Sequence, residues 1–270
     1  MSPYASGRHE FGQNFLSDRR LIDQIVAIVA RTDGPIVEIG PGAGALTVPM
    51  SALGRTITAV EIDGAHVTRL RRRVPPRTSV IHGDFLRHRL PEEPHIVVGN
   101  LPFHQTTAIL RRLLHADNWH AAVLITQWEV ARRRAGVGGA TMMTAQWWPW
   151  YEFRLVRRVP ASAFTPRPTV DAGLFTVDRR PEPLVEIGRR RAYQSMVHSV
   201  FTGRGRGVPQ IVSRLTGGGA PAVHRWREIH GIDMRHLPRD LQPLAWADLF
   251  DALPSGTERR PRGPHRDGRR

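Results

Sequence analysis

The sequence predicts an α/β fold: a Rossmann-like, mostly parallel sheet with a terminal antiparallel hairpin, followed by a small helical domain. Three observations carry this. Short apolar runs alternate with segments of helical spacing from residue 21 to about residue 134. A glycine-rich turn, Glu38-Ile39-Gly40-Pro41-Gly42-Ala43-Gly44, follows the first short run. From about residue 182 onward only helical spacing remains.

The elements follow in order. Leu21, Ile22, Ile25, Val26, Ile28 and Val29 repeat at helical spacing, with Ser17 as the expected N-cap. Pro35 to Ile39 is the first strand and enters the glycine turn; Ala45 to Leu53 reads as a helix. Thr56 to Ile62 is a second strand. His66 to Arg73 is a helix stopped by Pro75-Pro76. Ser79 to Ile81 is a third strand, running toward Asp84, and His95 to Gly99 a fourth. Thr107 to Leu114 is an amphipathic helix that turns Arg111 and Arg112 outward. Ala121 to Thr126 is a fifth strand, followed by helical Trp128 to Arg134. Tyr151 to Val159 and Ala172 to Val177 form the hairpin around FTPRPTV. Helices then cover 191–201, 208–215, 222–230 and 243–253. The expected domains are 1–180, the sheet domain, and 181–253, a small helical domain. A basic tail, 254–270, is almost without apolar residues and is expected to be disordered.

Composition narrows the function. The chain has 270 residues and a formal net charge of +15, and all 39 of its basic residues are arginine. Base composition of the gene explains arginine over lysine. It does not explain the excess over 24 acids, which points to a polyanionic partner. The absence of cysteine excludes disulfides, thiolate metal sites and cysteine nucleophiles. The 13 histidines show neither H-x-x-x-H nor H-E-x-x-H spacing, so no metal site is expected. No apolar run reaches membrane-spanning length and no secretory leader opens the chain. A cytoplasmic protein, acting as a monomer, is the expectation.

The glycine turn spaces its residues G-x-G-x-G and carries Glu38 just before it. A pyrophosphate would not tolerate that acid, whereas a sulfonium such as S-adenosylmethionine would. Glu61 ends the second strand about 20 residues on, where an acid accepts from ribose hydroxyls. Asp84 can accept from an adenine amino group, with Ile62 or Phe85 against the ring. The fourth strand closes on Asn100-Leu101-Pro102-Phe103. An exocyclic adenine amine is a poor nucleophile, because its lone pair is delocalised into the ring. Two acceptors on its hydrogens, the Asn100 side-chain oxygen and the Leu101 carbonyl, free that pair. Pro102 fixes the turn, and Phe103 can stack on a base swung out of its helix or loop. Trp147, Trp148 and Trp150 are read as core, although a stacking platform is the other possibility.

EIGPGAG, VEID, GDF and NLPF, in this order, resemble class I S-adenosylmethionine-dependent methyltransferases acting on adenine N6. GQNFL (12–16) narrows the resemblance to the rRNA adenine N6-methyltransferases, in which this segment folds over the cofactor. QWEVARRR (127–134) and FTPRPTV match further stretches, and FTGRGRG (201–207) with LPRDL looks most like the erythromycin-resistance branch. The resemblance implies S-adenosylmethionine as cofactor, held by Gln13, Asn14, Leu16, Gly40, Gly42, Glu61, Ile62, Asp84, Phe85 and Asn100. It implies methylation of one adenine of 23S ribosomal RNA in the peptidyl transferase loop, with resistance to macrolides, lincosamides and streptogramin B. Arg204, Arg206, Arg132 and Arg133 are candidate RNA contacts. Where many relatives have Tyr, this chain has Phe103, and the residues after it read His104-Gln105-Thr106-Thr107. A housekeeping small-subunit (16S) rRNA dimethyltransferase shares GQNFL and NLPF. A non-catalytic nucleic-acid-binding protein on this scaffold is the reading from another class.

Overall fold

The computed structural model describes residues 14–218 and 221–253. Two compact units divide the chain: the residues up to Gly139 with Tyr151–Pro181, and Ala140–Trp150 with the residues from Glu182 on.

The first unit is built on a seven-stranded sheet. Its strands are β2 (Ile36–Ile39), β3 (Ile57–Glu61), β4 (Thr78–His82), β5 (His95–Asn100), β6 (Trp119–Gln127), β7 (Tyr151–Val159) and β9 (Ala172–Arg179). Their spatial order is β4-β3-β2-β5-β6-β9-β7. β4 through β6 pair in parallel; β9 runs antiparallel to β6, and β7 antiparallel to β9. Strand order reverses between β2 and β5, and the carboxyl ends of strands flanking such a reversal form a crevice. β2 and β5 are buried along almost their whole length, as parallel strands covered on both faces must be. A second, two-stranded sheet pairs β1 (Phe15–Leu16) with β8 (Phe164–Thr165).

Helices α1 (Arg19–Val29), α2 (Thr47–Ser51), α3 (Gly64–Arg71), α4 (Thr106–His115) and α5 (Trp128–Arg134) belong to this unit. The N-cap of α1 is Asp18, whose carboxylate accepts from the Leu21 N–H at 3.1 Å. The expected cap, Ser17, instead donates its hydroxyl to the Ala163 carbonyl. α1 then buries Leu21, Ile25 and Val29 against strand residues that include Ile125 and Leu174. α2 starts two residues later than the spacing suggested. Pro49 is the reason: it lacks an N–H and fits only the first helical turn, so Thr47 must open the helix. α3 starts earlier, because the Asp63 carboxylate caps it through the Ala65 and His66 amides.

The second unit is helical: α6 (Met142–Trp147), α7 (Arg190–Thr202), α8 (Val208–Thr216), α9 (Pro221–Ile229) and α10 (Pro243–Ala252). Segment 140–150, which the sequence assigned to the sheet domain, packs in this unit. Trp147, Trp148 and Trp150 are at most 5% exposed, so they are core and no stacking platform. Trp150, Tyr193 and Phe250 meet edge to face, and the Tyr193 hydroxyl donates to the Ala145 carbonyl at 2.8 Å. The helix α6 escaped the sequence because six residues are too few to show a period. Among the described residues no helix is long and apolar enough to cross a membrane. The tail 254–270 and Gln13 lie outside the described residues.

Candidate active site

The crevice predicted by the strand reversal is a cavity of about 720 Å³, counting its open mouth. It is lined by the ends of β2, β3 and β5 and the loop after β4. Asn14, Gly40, Gly42, Glu61, Ile62, Asp84, Phe85, Asn100, Leu101 and Phe103 all line it. Ten of the positions singled out by sequence thus meet in one place.

The glycine turn shapes one wall. Gly42 has φ +54°, and a Cβ there would lie 2.8 Å from the Phe15 ring. Only glycine fits both the left-handed backbone and the approach of that ring. Glu61 ties the turn down: its Oε2 accepts from the Gly42 N–H at 2.8 Å, and its Oε1 from the Asp63 N–H at 2.9 Å. The carboxylate is 1% exposed but borders the cavity. Asp84 accepts from the Leu86 N–H at 2.9 Å. Beside it, Phe85 is buried under the Arg112 guanidinium, and Ile62 is 41% exposed. That is a large exposure for an isoleucine at a strand end, and it leaves an apolar flank for a flat ring.

At the other wall, Asn100 ends β5. Its Nδ2 donates to the Asn14 carbonyl at 2.7 Å. A carbonyl can only accept, so the amide nitrogen is fixed toward residue 14 and Oδ1 stays clear of that contact. The Leu101 N–H donates to the Ile125 carbonyl at 2.9 Å, and the Leu101 carbonyl has no protein donor among the described residues. The Pro102 carbonyl accepts from the Gln105 N–H, closing the turn into α4. Phe103 borders the cavity and packs on the core beneath.

Three expectations change. Glu38 does not line the cavity; it is 2% exposed within β2. Burial and the neighbouring Glu61 push its pKa up to about 8, with Thr47 opposing, so at neutral pH it holds its proton. Glu38 therefore brings no negative charge to the glycine turn at neutral pH. Leu16 does not line the cavity either: its side chain is in the core. Arg132 is engaged by Glu129 at 2.6 and 2.9 Å and by the Val137 carbonyl, whereas Arg133 beside it is exposed. Arg204 and Arg206 are exposed in the second unit. The sequence reading missed Phe15, although it sits inside GQNFL; its ring lies against Gly42 and 5.2 Å from the His66 ring.

Residues 4–254 match the family described as ribosomal RNA adenine dimethylase. The chain belongs to that family. It is 56% identical over 79% of its length, and 85% of the relative's, to an rRNA adenine N-6-methyltransferase of Corynebacterium diphtheriae. It is 46% identical to the mycinamicin-resistance protein MyrB of Micromonospora griseorubida, covering 92% of this chain and 80% of that one. The crystal structure of the 23S rRNA methyltransferase ErmE superposes with a TM-score of 0.79 at 33% identity, over 89% of this chain and 99% of the other. Members of the ribosomal RNA adenine dimethylase family use S-adenosylmethionine, and the residues here fit it. Gly40 leaves open space at the cavity wall, Glu61 and Asp84 are acceptors for hydroxyls and an amine, and Ile62 and Phe85 flank a flat ring.

Proposed function

We propose that this enzyme methylates N6 of one adenine in the peptidyl transferase loop of 23S ribosomal RNA, and so gives resistance to macrolides, lincosamides and streptogramin B. One observation supports the chemistry most directly: the Asn100 amide is anchored by its nitrogen, while Oδ1 and the Leu101 carbonyl remain as a pair of acceptors at the cavity. Both accept from the target amine, favour a pyramidal nitrogen and free its lone pair. Phe103 stacks on the extruded base. Pro102 has no N–H to compete for the acceptors. Glu61 would take the ribose hydroxyls and Asp84 the adenine amine of the cofactor, which would supply an electrophilic methyl. Positioning contributes most of the rate, since a methyl transfer of this kind needs in-line geometry and no strong base. The 23S target is supported by the likeness to MyrB and to ErmE. The substrate is protein-free 23S RNA, the enzyme a cytoplasmic monomer, and the helical unit an RNA-binding one.

Labelled methyl groups supplied to 23S and 16S rRNA test this. Incorporation at adenine N6 of 23S rRNA, with macrolide resistance in a sensitive host, is the expected result. Incorporation into 16S rRNA alone transfers the enzyme to the small-subunit branch.

A further inference from the structure

We propose that the backbone carbonyl of Asn14 is a positioning group for the reaction, holding the Asn100 carboxamide in the one orientation that presents Oδ1 to the target amine. The inference rests on the methyl-transfer reading above and names what prepares its acceptor. A terminal amide rotates about a soft, nearly two-fold torsion, and only one of its two orientations leaves oxygen free. The Asn14 carbonyl lies 2.7 Å from Nδ2. It accepts from the NH₂ group and repels an oxygen placed there, so it selects between the two.

The carbonyl is itself held. β1 pairs with β8 through Phe15 opposite Thr165 and Leu16 opposite Phe164. The Ser17 and Asp18 amides both donate to the Ala163 carbonyl, at 2.8 and 3.3 Å. The Ser17 hydroxyl donates to the same carbonyl, and the Thr165 hydroxyl donates to Ser17 Oγ. From the same short strap the Phe15 ring reaches the glycine turn at Gly42. The strap thus touches the cofactor turn with a side chain and the reacting amide with a carbonyl.

Asn100→Asp separates this role from simple acceptance. An ionised carboxylate has no proton for the Asn14 carbonyl and sets a negative oxygen against it. The protonated acid donates its O–H there and leaves C=O where Oδ1 was. Single-turnover rates at saturating S-adenosylmethionine and RNA are compared between N100D and the unsubstituted enzyme. The titratable groups nearby are Glu61 and Asp84 in the cavity, Glu38 beside Glu61 on the strand paired with β5, His66 against Phe15, and His104 in the next turn. They are common to both proteins, so the ratio of rates is read. That ratio rises on acidification from about pH 8 to about pH 5.5, by about tenfold per unit while the pH stays above the carboxyl pKa. If acceptance alone mattered, the ionised carboxylate would be the better acceptor and the ratio would rise with pH. A ratio that is flat or rises with pH overturns the proposal. If N100D does not melt cooperatively, the strap variant S17A/T165A replaces it. A fall in kcat larger than any change in KM for RNA supports the proposal, and an unchanged kcat overturns it. Failure of the unsubstituted enzyme to methylate any rRNA adenine is a separate result and sinks the functional reading instead.

Discussion

Two loops rich in glycine do different work in this protein. In the Gly40–Gly44 turn Gly40 faces open space, Gly42 and Gly44 give way to the Phe15 ring and to Leu70, and the turn so shaped borders the cavity beside the Glu61 carboxylate that the Gly42 N–H holds. In the Gly203–Gly207 loop, missing side chains make room for the protein itself. A Cβ at 203 or 205 would strike Ile211, at 2.4 or 2.8 Å, and one at 207 would strike the Met234 carbonyl at 2.3 Å. The alternate residues, Arg204 and Arg206, are left exposed. One loop is a mould for a small molecule. The other is a mount for two cations. Recognition by a mould fails steeply when one atom moves, while recognition by exposed charge fades by degrees.

The steepest failure is expected at the reacting turn. Asn100→Ala removes one of the two acceptors proposed for the amine and should lower kcat by about 10²–10³-fold, the usual loss for one preorganised hydrogen-bonding group. Binding of S-adenosylmethionine, followed by calorimetry, should weaken only modestly. Unchanged turnover would overturn the role assigned to Asn100.

Next in size is Gly42→Ala. The new methyl meets the Phe15 ring, and the left-handed backbone is strained, at a cost of about 1–3 kcal/mol. Cofactor affinity should fall by about tenfold or more, because the Gly42 N–H also anchors Glu61. The same substitution at Gly54, which is clear of neighbours and of the cavity, carries the backbone strain alone and serves as the control.

Glu38 gives a test that reads stability rather than rate. Its folded pKa, about 8, lies well above the 4.5 of a free glutamate side chain, which the unfolded chain keeps. The folded state keeps a proton that the unfolded state releases across that window. Stability from this group is therefore full below pH 4.5 and is lost as pH rises through about 8. Glu38→Gln has no proton to release, so its melting temperature should decline less than that of the unsubstituted protein between those limits. Parallel melting curves would remove the buried, neutral carboxyl from the account.

These sites were unequally legible in the sequence. The sheet and the cavity residues showed through because strand ends and glycine turns leave local marks: apolar runs, then an acid or Asn100. Distant partners leave none. Nothing local tells Ser17 that Ala163 waits for its hydroxyl, so the cap of α1 falls to Asp18. Nothing local tells Glu38 that Thr47 and Glu61 will enclose it, so its charge state was misread. Phe15 was visible in its motif, but its task is set by Gly42, beyond α1 and β2 in the chain. The contact of Asn14 with Asn100 spans 86 residues and is carried by a backbone atom, which no residue type announces.

The mildest effect is expected from the mount. Arg204→Gln with Arg206→Gln removes two exposed cations and touches neither the cavity nor the glycines that pack the loop. The Arg204 carbonyl still accepts from Arg214, and the Arg206 N–H still donates to Gln210, so the backbone keeps its course. If each arginine meets one phosphate of a single-stranded segment, the slope of log affinity against log salt should flatten by about 0.7 per arginine, about 1.4 for both. Affinity at moderate salt should fall severalfold, and kcat at saturating RNA should hold. The control is Arg132→Gln, whose guanidinium is already committed to Glu129 and should alter the slope less. An unchanged slope in the double variant would mean that the loop exposes its arginines to water alone, and that the phosphate contacts lie elsewhere among the 39 arginines.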